Sequence, residues 1–326
     1  MLKKILLGLA LLVVAAIAAV PAYFYGAYPK MRPAPDMTAP KTPEAIERGR
    51  YLAEAMAGCI ACHSLIDESR PGDFPQSGFE YAGRIFPLDA GFPGKIVAPN
   101  LTPDPQTGIG RWTDGEVVRA IREGVSRDGR PLFPLMNYSG YRMLSDEDVL
   151  SIVAYLRTRK PIARDNGRTE LDFPVNMMIR TVPQPLDRQP AGLPTAGVER
   201  GRAMLTVMMC GECHTPRDDR GNPVAGKELA GGNAFKGPWG TVYAANITSH
   251  PSTGIGAYGN DDLKRVFREG KNRAGRDLWV MPWSVTKNLT DADLDALIAA
   301  LREVPANPNL VPAAQLNGRE SASISR

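Results

Sequence analysis

The longest apolar stretch lies at the start of the chain. Residues 5–20 carry no polar side chain, and residues 21–28 continue apolar with three tyrosines and one phenylalanine. At about 1.5 Å per residue, such a stretch spans the roughly 30 Å hydrocarbon core of a bilayer, and the aromatic cluster suits its interface. We predict a transmembrane anchor over residues 1–28. The alternative is a cleaved signal peptide, since small residues around 15–22 suit a cleavage site, but its apolar core is usually shorter.

The next stretch, residues 29–42, is rich in proline. Its four prolines predict an extended, semi-rigid chain. We expect this linker to lift the first folded domain away from the membrane surface.

Beyond residue 42 the apolar positions recur at helical spacing. Pro43 suits the first position of a helix whose apolar residues share one face. Thr113 and Glu116 form a capping box that opens another helix. Ser145 begins a closing helix with apolar residues at i, i+3, i+4 and i+7. Because no convincing run of alternating strand residues is found, the predicted fold class is all-α, with long irregular loops.

The same pattern occurs twice along the chain. Three short phrases return: Glu-Arg-Gly-Arg at residues 47–50 and 199–202, Thr-Gly-Ile-Gly at residues 107–110 and 253–256, and Arg-Glu-Gly at residues 122–124 and 268–270. This repetition predicts two domains of one fold, at residues 43–160 and 196–304, joined by an interdomain linker at residues 161–195. The last stretch, residues 305–326, is rich in Asn, Pro, Ser and Ala, and we expect a disordered tail.

Composition and charge narrow the classes of function. The 326 residues are 43% apolar and 23% charged, as in globular proteins. The net charge of +4 is spread along the chain without a basic block, so nothing indicates nucleic-acid binding.

All four cysteines lie in two C-x-x-C-H motifs, at residues 59–63 and 210–214. Two thiols three positions apart lie on one side of a helical turn, where they can form thioethers to the two vinyl groups of a haem. The following histidine can then bind the iron as the proximal ligand. The motifs therefore predict two covalently bound haems c. The attachment residues are Cys59, Cys62 and His63 in the first motif, and Cys210, Cys213 and His214 in the second.

Two other kinds of site use a cysteine pair at this spacing. Zinc sites and redox dithiols both contain C-x-x-C. The histidine that directly follows both pairs, and the lack of any further cysteine in the sequence, favour haem attachment.

The motifs and the helices around them resemble class I cytochrome c domains. Longer phrases at residues 107–112, 210–217 and 242–248 resemble the membrane-bound cytochrome c subunits of periplasmic alcohol and aldehyde dehydrogenases. The resemblance covers about residues 43–304. It implies two tandem class I cytochrome c domains with long loops, behind one N-terminal transmembrane helix.

The resemblance also implies the second axial ligand of each iron. In class I domains this ligand is a methionine on a loop before the terminal helix, and the matching residues are Met136 and Met281. Met281 is followed by the matching proline. An asparagine follows Met136, so Met143 is the alternative in the first domain. The implied metal ligands are therefore His63, Met136, His214 and Met281.

Ligation by histidine and methionine raises the reduction potential and leaves no open position at the iron. Both haems are therefore expected to be electron carriers, and we predict no catalytic residues. The third histidine, His250, replaces Asp104 of the first repeat in a loop, and we do not expect it to bind iron.

Other prominent side chains are expected to be structural. The four tryptophans are expected to pack within the domains, and Asn100 and Asn246 to fix loop backbone near each haem. Arg130 and Arg276 precede the methionine loops. Each guanidinium could equally well pair with a haem propionate or lie in solvent. Five further methionines are expected to fill the core: Met177, Met178, Met204, Met208 and Met209.

Two irregular stretches stand out. Residues 64–99 form a long insertion with five prolines, which we expect to be functional or mobile and to form part of a docking face. Residues 160–195 are similar to the interdomain segment of the same family, and we expect them to lie along both domains.

The function implied by the resemblance is electron transfer. We expect a membrane-anchored dihaem cytochrome c between a periplasmic dehydrogenase, with a molybdenum, flavin or quinone cofactor, and a membrane acceptor, either quinone or a terminal oxidase. The haem domains are expected in the periplasm and the anchor in the cytoplasmic membrane, because such cytochromes are matured outside that membrane.

Three alternatives stay open at this point. The chain could be a dihaem subunit of a haem-copper oxidase, a dihaem enzyme of the peroxidase or thiosulfate dehydrogenase type, or a non-catalytic assembly or sensor protein. An enzyme needs an iron with a labile or missing sixth ligand, so binding of external ligands to the reduced protein discriminates between carrier and enzyme.

Overall fold

Two pairs of crossing helices carry the core of the fold. The computed structural model describes residues 1–88, 90–219 and 221–317. In these residues the α-helices are α1 (Leu2–Ala27), α2 (Pro43–Tyr51), α3 (Cys59–Cys62), α4 (Asp114–Glu123), α5 (Tyr138–Tyr141), α6 (Asp146–Arg157), α7 (Val175–Met178), α8 (Gly197–Val207), α9 (Cys210–His214), α10 (Asn260–Glu269), α11 (Trp283–Thr286) and α12 (Asp291–Arg302). A π-helical turn, Leu52–Met56, follows α2, and a 3-10 turn, Ile179–Thr181, follows α7.

The predicted helix boundaries are confirmed. Pro43 is the first residue of α2, and Thr113 and Glu116 form the capping box of α4. Gly124 and Gly270 end α4 and α10 with φ of 70° and 64°, which glycine adopts without steric cost. Because caps are local features, they could be read from neighbouring residues alone.

Short β-strands were not predicted. Within the described residues they are β1 (Arg84–Ile85), β2 (Gly94–Lys95), β3 (Val97–Ala98), β4 (Glu170–Leu171), β5 (Ala234–Gly237), β6 (Gly240–Tyr243) and β7 (Gln315–Leu316). They pair antiparallel as β1 with β3, β2 with β4, and β5–β6–β7 in that order. Strands of two to four residues are too short to show an alternating pattern, which is why the sequence suggested helices only.

Each repeat is closed by its first and last helices. α2 packs against α6 in the first repeat, and α8 packs against α12 in the second. The crossings are close because each contains a glycine. A Cβ added to Gly49 would lie 1.8 Å from Ser151 O, and one added to Gly201 would lie 2.0 Å from Ala296 O. Backbone touches backbone at both crossings.

The two repeats pack on each other reciprocally. α5 of the first repeat lies against α8 of the second, and α11 of the second lies against α3 and the π-helical turn of the first. Asn137 Nδ2 donates to Thr206 O at 2.9 Å, and the Tyr51 hydroxyl donates to the Asp293 carboxylate. Buried apolar side chains from both repeats form one continuous cluster. The helix after each methionine is thus held by the other repeat.

The insertion at residues 64–99 contributes to this contact. Gly72 N donates to Trp279 O at 3.0 Å, and Ser284 Oγ donates to Asp73 O at 3.0 Å. The rings of Phe74 and Trp283 meet edge to face, with centroids 4.6 Å apart. Part of the expected docking face therefore binds the second repeat of the same chain.

The proline-rich linker packs against the first repeat. Ala39 N donates to Asp114 Oδ2 at 2.8 Å, and the Arg119 guanidinium donates to Arg32 O at 3.3 Å. The linker is extended as predicted, but these contacts hold it along α4. The linker therefore packs along the first repeat, and its role in separating that repeat from the membrane surface stays a prediction.

The expectation of a disordered tail is wrong for residues 305–317. Asn246 Nδ2 donates to Asn307 O at 2.8 Å, and β7 adds a third strand to β5 and β6. Asn307 takes the position that Ile162 has in the first repeat, where Asn100 Nδ2 donates to Ile162 O at 2.7 Å. The composition of the tail could not show that it packs on the second repeat, because the contacts depend on single polar residues such as Asn246. Residues 318–326 of the predicted tail lie outside the described residues.

The segment between the repeats lies mainly along the first repeat. Arg142 donates to Pro185 O at 2.9 Å, and Gln189 Nε2 donates to Asp146 Oδ2 at 2.8 Å. At its far end Arg200 of the second repeat donates to Pro194 O at 2.8 Å. The segment therefore contacts both repeats, as expected, but unequally.

The N-terminal helix α1 stands apart from the core. It has 26 residues, a mean hydropathy of 2.7 and no buried residue. Among the described residues it is the one helix that is long and apolar enough to cross a membrane. Length and composition are shared by membrane anchors and secretory signal sequences.

Candidate haem sites

Each cysteine motif begins with a sharp change of direction. In the first repeat, the chain passes through the π-helical turn to Gly58, whose φ of 60° leads into α3. In the second repeat, Met209 has the same left-handed conformation, with φ of 61°, before α9. Both turns open a short helix that carries both thiols of its motif.

Glycine in place of Met209 is expected to stabilise the protein. A side chain in the left-handed region costs about 1 kcal/mol, and glycine avoids that cost. We therefore expect Met209→Gly to raise the free energy of unfolding by about 1 kcal/mol in chemical denaturation. Met208→Gly is the matched control, because Met208 has ordinary helical angles and packs on the core. The same gain in both variants would contradict the explanation.

The thiols of both motifs are free and held in their neutral form. Burial raises the pKa of Cys59 and of Cys210 to about 12, and it raises the pKa of Cys62 as well. A catalytic dithiol needs the opposite shift, because the thiolate is its nucleophile. Among residues 1–88, 90–219 and 221–317, no three His, Cys, Asp or Glu side chains converge as a metal cluster. The raised pKa values of the thiols thus fit thioether attachment better than a redox dithiol.

Both motif histidines present the same nitrogen for ligation. His63 Nδ1 lies 2.8 Å from Pro99 O, and His214 Nδ1 lies 2.7 Å from Ala245 O. A carbonyl oxygen can only accept, so Nδ1 carries the proton and Nε2 keeps its lone pair. Burial lowers the pKa of His63 to about 4 and also lowers that of His214. Both imidazoles are therefore neutral at pH 7, as an iron ligand must be.

Both methionines lie at the same kind of tight turn. In each turn the N–H two residues after the methionine donates to the methionine carbonyl oxygen at 2.7 Å. The intervening residues, Asn137 and Pro282, have φ/ψ of −74°/47° and −78°/62°, close to an inverse γ-turn. Asparagine therefore keeps the turn that proline forms in the other repeat. Met136 and Met281 are partly buried against the core, while Met143 lies beyond α5 and outside the turn.

An aromatic donor follows each methionine turn. Tyr138 and Trp283 pack on Gly124 and Gly270, where an added Cβ would lie 2.6 Å and 2.2 Å from the side chains. Tyr138 Oη and Trp283 Nε1 are buried and have no hydrogen-bond partner in the described part of the chain. Buried donors need acceptors, so both fit a site that a prosthetic group with carboxylates completes.

The two cysteine motifs lie within electrostatic reach of each other. Burial raises the pKa of Cys213 to about 11, with smaller contributions from Asp73 and Cys62 of the first repeat. Asp73 also raises the pKa of Cys62, which Arg84 lowers. A carboxylate and a guanidinium therefore lie beside the attachment sites. Sequence reasoning missed both, because they lie in the insertion, where no periodic pattern marks them.

Asparagine in place of Asp73 is expected to stabilise the protein at neutral pH and much less in acid. Burial raises the pKa of Asp73 to about 6 against the opposing charge of Arg84. The folded protein thus holds this proton more tightly than the unfolded chain, and stability falls as pH rises from about 4 to about 6. Above that window the ionised carboxylate costs about 1–2 kcal/mol, which Asp73→Asn removes. Urea denaturation at about pH 4 and about pH 8 measures the difference.

Asp67→Asn is the matched control for this variant. Hydrogen bonds from Ser69 lower the pKa of the exposed Asp67 carboxylate, so its loss should give no gain at high pH. Asp73 also has a φ of 54°, which asparagine tolerates well. An equal gain at both pH values would show that relief of this backbone strain, and not the charge, is the whole effect.

His250 has the loop role expected for it. Its Nδ1 accepts hydrogen bonds from Thr253 N at 3.1 Å and from the Thr253 hydroxyl at 2.8 Å. Asp104 Oδ1 accepts the same pair from Thr107, at 2.7 Å and 2.8 Å. An imidazole nitrogen thus replaces a carboxylate oxygen in one loop of the repeat.

Most of the other sequence expectations are met. Asn100 and Asn246 are buried and bind loop backbone, as expected. Arg130 pairs with Asp128 at 2.7 Å, a partner that the sequence did not suggest. Trp239 and Trp279 stack with centroids 5.9 Å apart. One expectation is wrong. Met178 does not fill the core, because 55% of it is exposed.

Comparison with known proteins agrees with this geometry. Over 281 residues the chain is 32% identical to the dihaem c-type cytochrome of Cereibacter sphaeroides, covering 83% of this chain and 90% of that protein. The chain belongs to the c-type cytochromes. The cytochrome therefore binds haem c covalently, and its cysteine pairs are the residues that suit this attachment. No family model matches it.

Two longer relatives are cytochrome subunits of dehydrogenases. The cytochrome is 34% identical to the fructose dehydrogenase cytochrome subunit of Gluconobacter japonicus over 80% of its own length. It is 31% identical to the cytochrome c subunit of the quinone alcohol dehydrogenase of Gluconobacter oxydans over 86% of its length. It spans 53% and 59% of those two relatives, respectively. The resemblance to dehydrogenase cytochrome subunits is thus confirmed.

Proposed function

We propose that this cytochrome carries two haems c, one in each of two tandem cytochrome c domains, and passes single electrons between a periplasmic dehydrogenase and a membrane acceptor. One observation carries the proposal. In each repeat a histidine held through Nδ1 and a methionine at an inverse γ-turn accompany a pair of free cysteines. The haem supplies a one-electron couple between ferric and ferrous iron.

The side chains have separate tasks in this proposal. The four cysteine thiols would hold the haems by addition across the vinyl groups, with each S–H hydrogen going to the neighbouring vinyl carbon, so no oxidant would be consumed. His63 and His214 would bind the iron through Nε2, because Nδ1 of each ring faces a carbonyl oxygen. The sulfur atoms of Met136 and Met281 would supply the remaining iron ligands, which would favour the ferrous state and leave no place for a substrate.

The packing of the repeats supports transfer of electrons within the chain. α11 contacts α3, which carries the first cysteine pair, and α5 contacts α8, which ends three residues before Cys210. Cys62 and Cys213 lie within electrostatic reach. A shared apolar core excludes water between the repeats. Little reorganisation would therefore accompany electron transfer between the two sites.

The location follows from α1. We propose that α1 stays attached as an anchor in the cytoplasmic membrane, with both repeats in the periplasm. Arg180 supports this, since it donates to Phe24 O at 3.2 Å and to Tyr28 O at 2.5 Å, so the segment between the repeats binds the end of the helix. A segment destined for removal would not need that contact.

The proposed partners follow from the relatives. The two longer relatives are cytochrome subunits of fructose dehydrogenase and of a quinone alcohol dehydrogenase, which supports a dehydrogenase as the electron donor. Attachment to the membrane brings the cytochrome to a quinone or a terminal oxidase as acceptor. The cofactor of the proposed dehydrogenase, whether molybdenum, flavin or quinone, belongs to that enzyme and not to this chain.

Two features can be tested on the purified native protein: the number of haems per chain, and whether either iron has a free coordination position. We expect an intact mass raised by two haems per chain, and no rapid change in the spectrum when carbon monoxide is added after reduction. One haem per chain would contradict the dihaem proposal. Rapid binding of carbon monoxide would reveal an open iron and favour a dihaem enzyme.

A further inference from the structure

Residues 173–182, called the interface segment below, expose three large apolar side chains. Phe173 is 76% exposed, Met178 55% and Val182 46%. The segment comprises α7 and the 3-10 turn, with their flanking residues. Burial of one such side chain is worth about 1.5–3 kcal/mol, so a cluster of three exposed ones points to a surface that something else covers.

The interface segment is attached to the end of the N-terminal helix. α7 and the 3-10 turn pack against α1. Arg180 donates to the carbonyl groups of Phe24 and Tyr28, and its guanidinium lies 4.6 Å from the centroid of the Tyr25 ring. The last carbonyl groups of a helix have no hydrogen-bond donors within the helix. Arg180 donates to two of the carbonyl groups at this end of α1. The segment therefore stays level with the last turns of α1.

The length of α1 indicates how deep the interface segment would lie in a bilayer. Lys3 and Lys4 are the last charged residues before the apolar run. Twenty residues at about 1.5 Å each cover the roughly 30 Å hydrocarbon core and end at Phe24. The aromatic residues at positions 23–28 then lie among the headgroups, where aromatic belts are found. The interface segment lies beside them.

We propose that the interface segment inserts Phe173, Met178 and Val182 into the headgroup region of the outer leaflet. The occupant is the lipid bilayer, because the interface segment packs against the apolar helix α1 and exposes these side chains beside its last turns. The proline-rich linker agrees, since its contacts with α4 keep the first repeat near the end of α1. Insertion of the segment would hold both repeats against the membrane surface in one orientation. It would also keep them close to a membrane acceptor. The proposal depends on the anchoring in the proposed function.

Spin labels on the full haem-loaded chain test the proposal in vesicles of phosphatidylcholine and phosphatidylglycerol. Met178→Cys offers a unique thiol, because haem attachment consumes the four native cysteines. Leu310→Cys is the matched control, since Leu310 is 82% exposed but lies in the tail of the second repeat. We expect the ratio of collision with oxygen to collision with a water-soluble nickel complex to be about threefold higher at position 178, because oxygen concentrates in lipid.

The same samples separate the possible failures. Equal ratios at both positions, in protein that floats with the vesicles, would overturn insertion while leaving anchoring and haem content intact. Protein that does not float would overturn both anchoring and insertion. A label at position 178 that is shielded from both reagents only after the dehydrogenase binds would overturn the lipid assignment and identify a protein partner.

Discussion

Alanine in place of Gly201 is expected to cost about 3 kcal/mol of unfolding free energy, although alanine is the better helix former. α8 crosses α12 so closely here that an added Cβ would lie 2.0 Å from Ala296 O and 2.7 Å from the Ala300 Cβ. The first of these atoms is helix backbone, so it cannot move unless the two helices separate. Packed interiors have no spare volume to absorb that shift.

Gly211→Ala is the matched control for the crossing. Gly211 also lies in a helix of the second repeat, but the nearest atom to an added Cβ is Thr215 Oγ1 at 3.7 Å. Its replacement should change stability by no more than about 0.5 kcal/mol. Guanidinium denaturation followed by circular dichroism measures both variants. If Gly201→Ala were as stable as the wild type, the close crossing of α8 and α12 would be wrong.

Alanine in place of Met136 is expected to open one of the two irons. Loss of the thioether sulfur leaves that haem with histidine alone, so it should become high-spin and bind carbon monoxide after reduction. Its reduction potential should fall by roughly 0.2 V, because axial ligands control potential over a range of about 0.8 V. The second haem should keep its low-spin spectrum. Redox titration with optical detection resolves the two haems.

Met143→Ala tests the competing assignment in the first repeat. Met143 is also partly buried, but it lies beyond α5 and outside the inverse γ-turn. We expect this variant to keep both low-spin haems and both potentials, and to lose some stability through packing alone. If Met143→Ala opened the iron and Met136→Ala did not, the ligand assignment would be wrong.

Local patterns account for the parts of the structure that the sequence predicted. The caps at Pro43 and Thr113 depend on neighbouring residues, and the closing helices follow from apolar spacing. The cysteine motifs were evident because all four cysteines occur at one spacing. The repeat also identified His250 as the counterpart of Asp104, since both begin the same loop.

The parts that the sequence did not reveal depend on contacts between distant residues. Asp73 and Arg84 acquire their importance only when the insertion folds against the cysteine motifs. The tail after residue 305 looks disordered by composition, yet Asn246 holds its backbone. Met178 was expected in the core because methionines usually fill gaps, but the contact of Arg180 with α1 places its segment at the surface. Contacts between residues that are far apart in the sequence cannot be predicted from the preferences of single residues.

Electron transfer from a dehydrogenase through this cytochrome to a membrane acceptor is tested most directly on the native assembly. The protein is purified from membranes in mild detergent, its companions are identified by mass spectrometry, and the haem α-band is followed while candidate substrates and then a quinone are added. We predict a copurifying dehydrogenase whose substrate reduces both haems, and reoxidation by quinone or by an added oxidase. Copurification with a copper-haem oxidase alone, or substrate turnover by the cytochrome without any companion, would contradict the account.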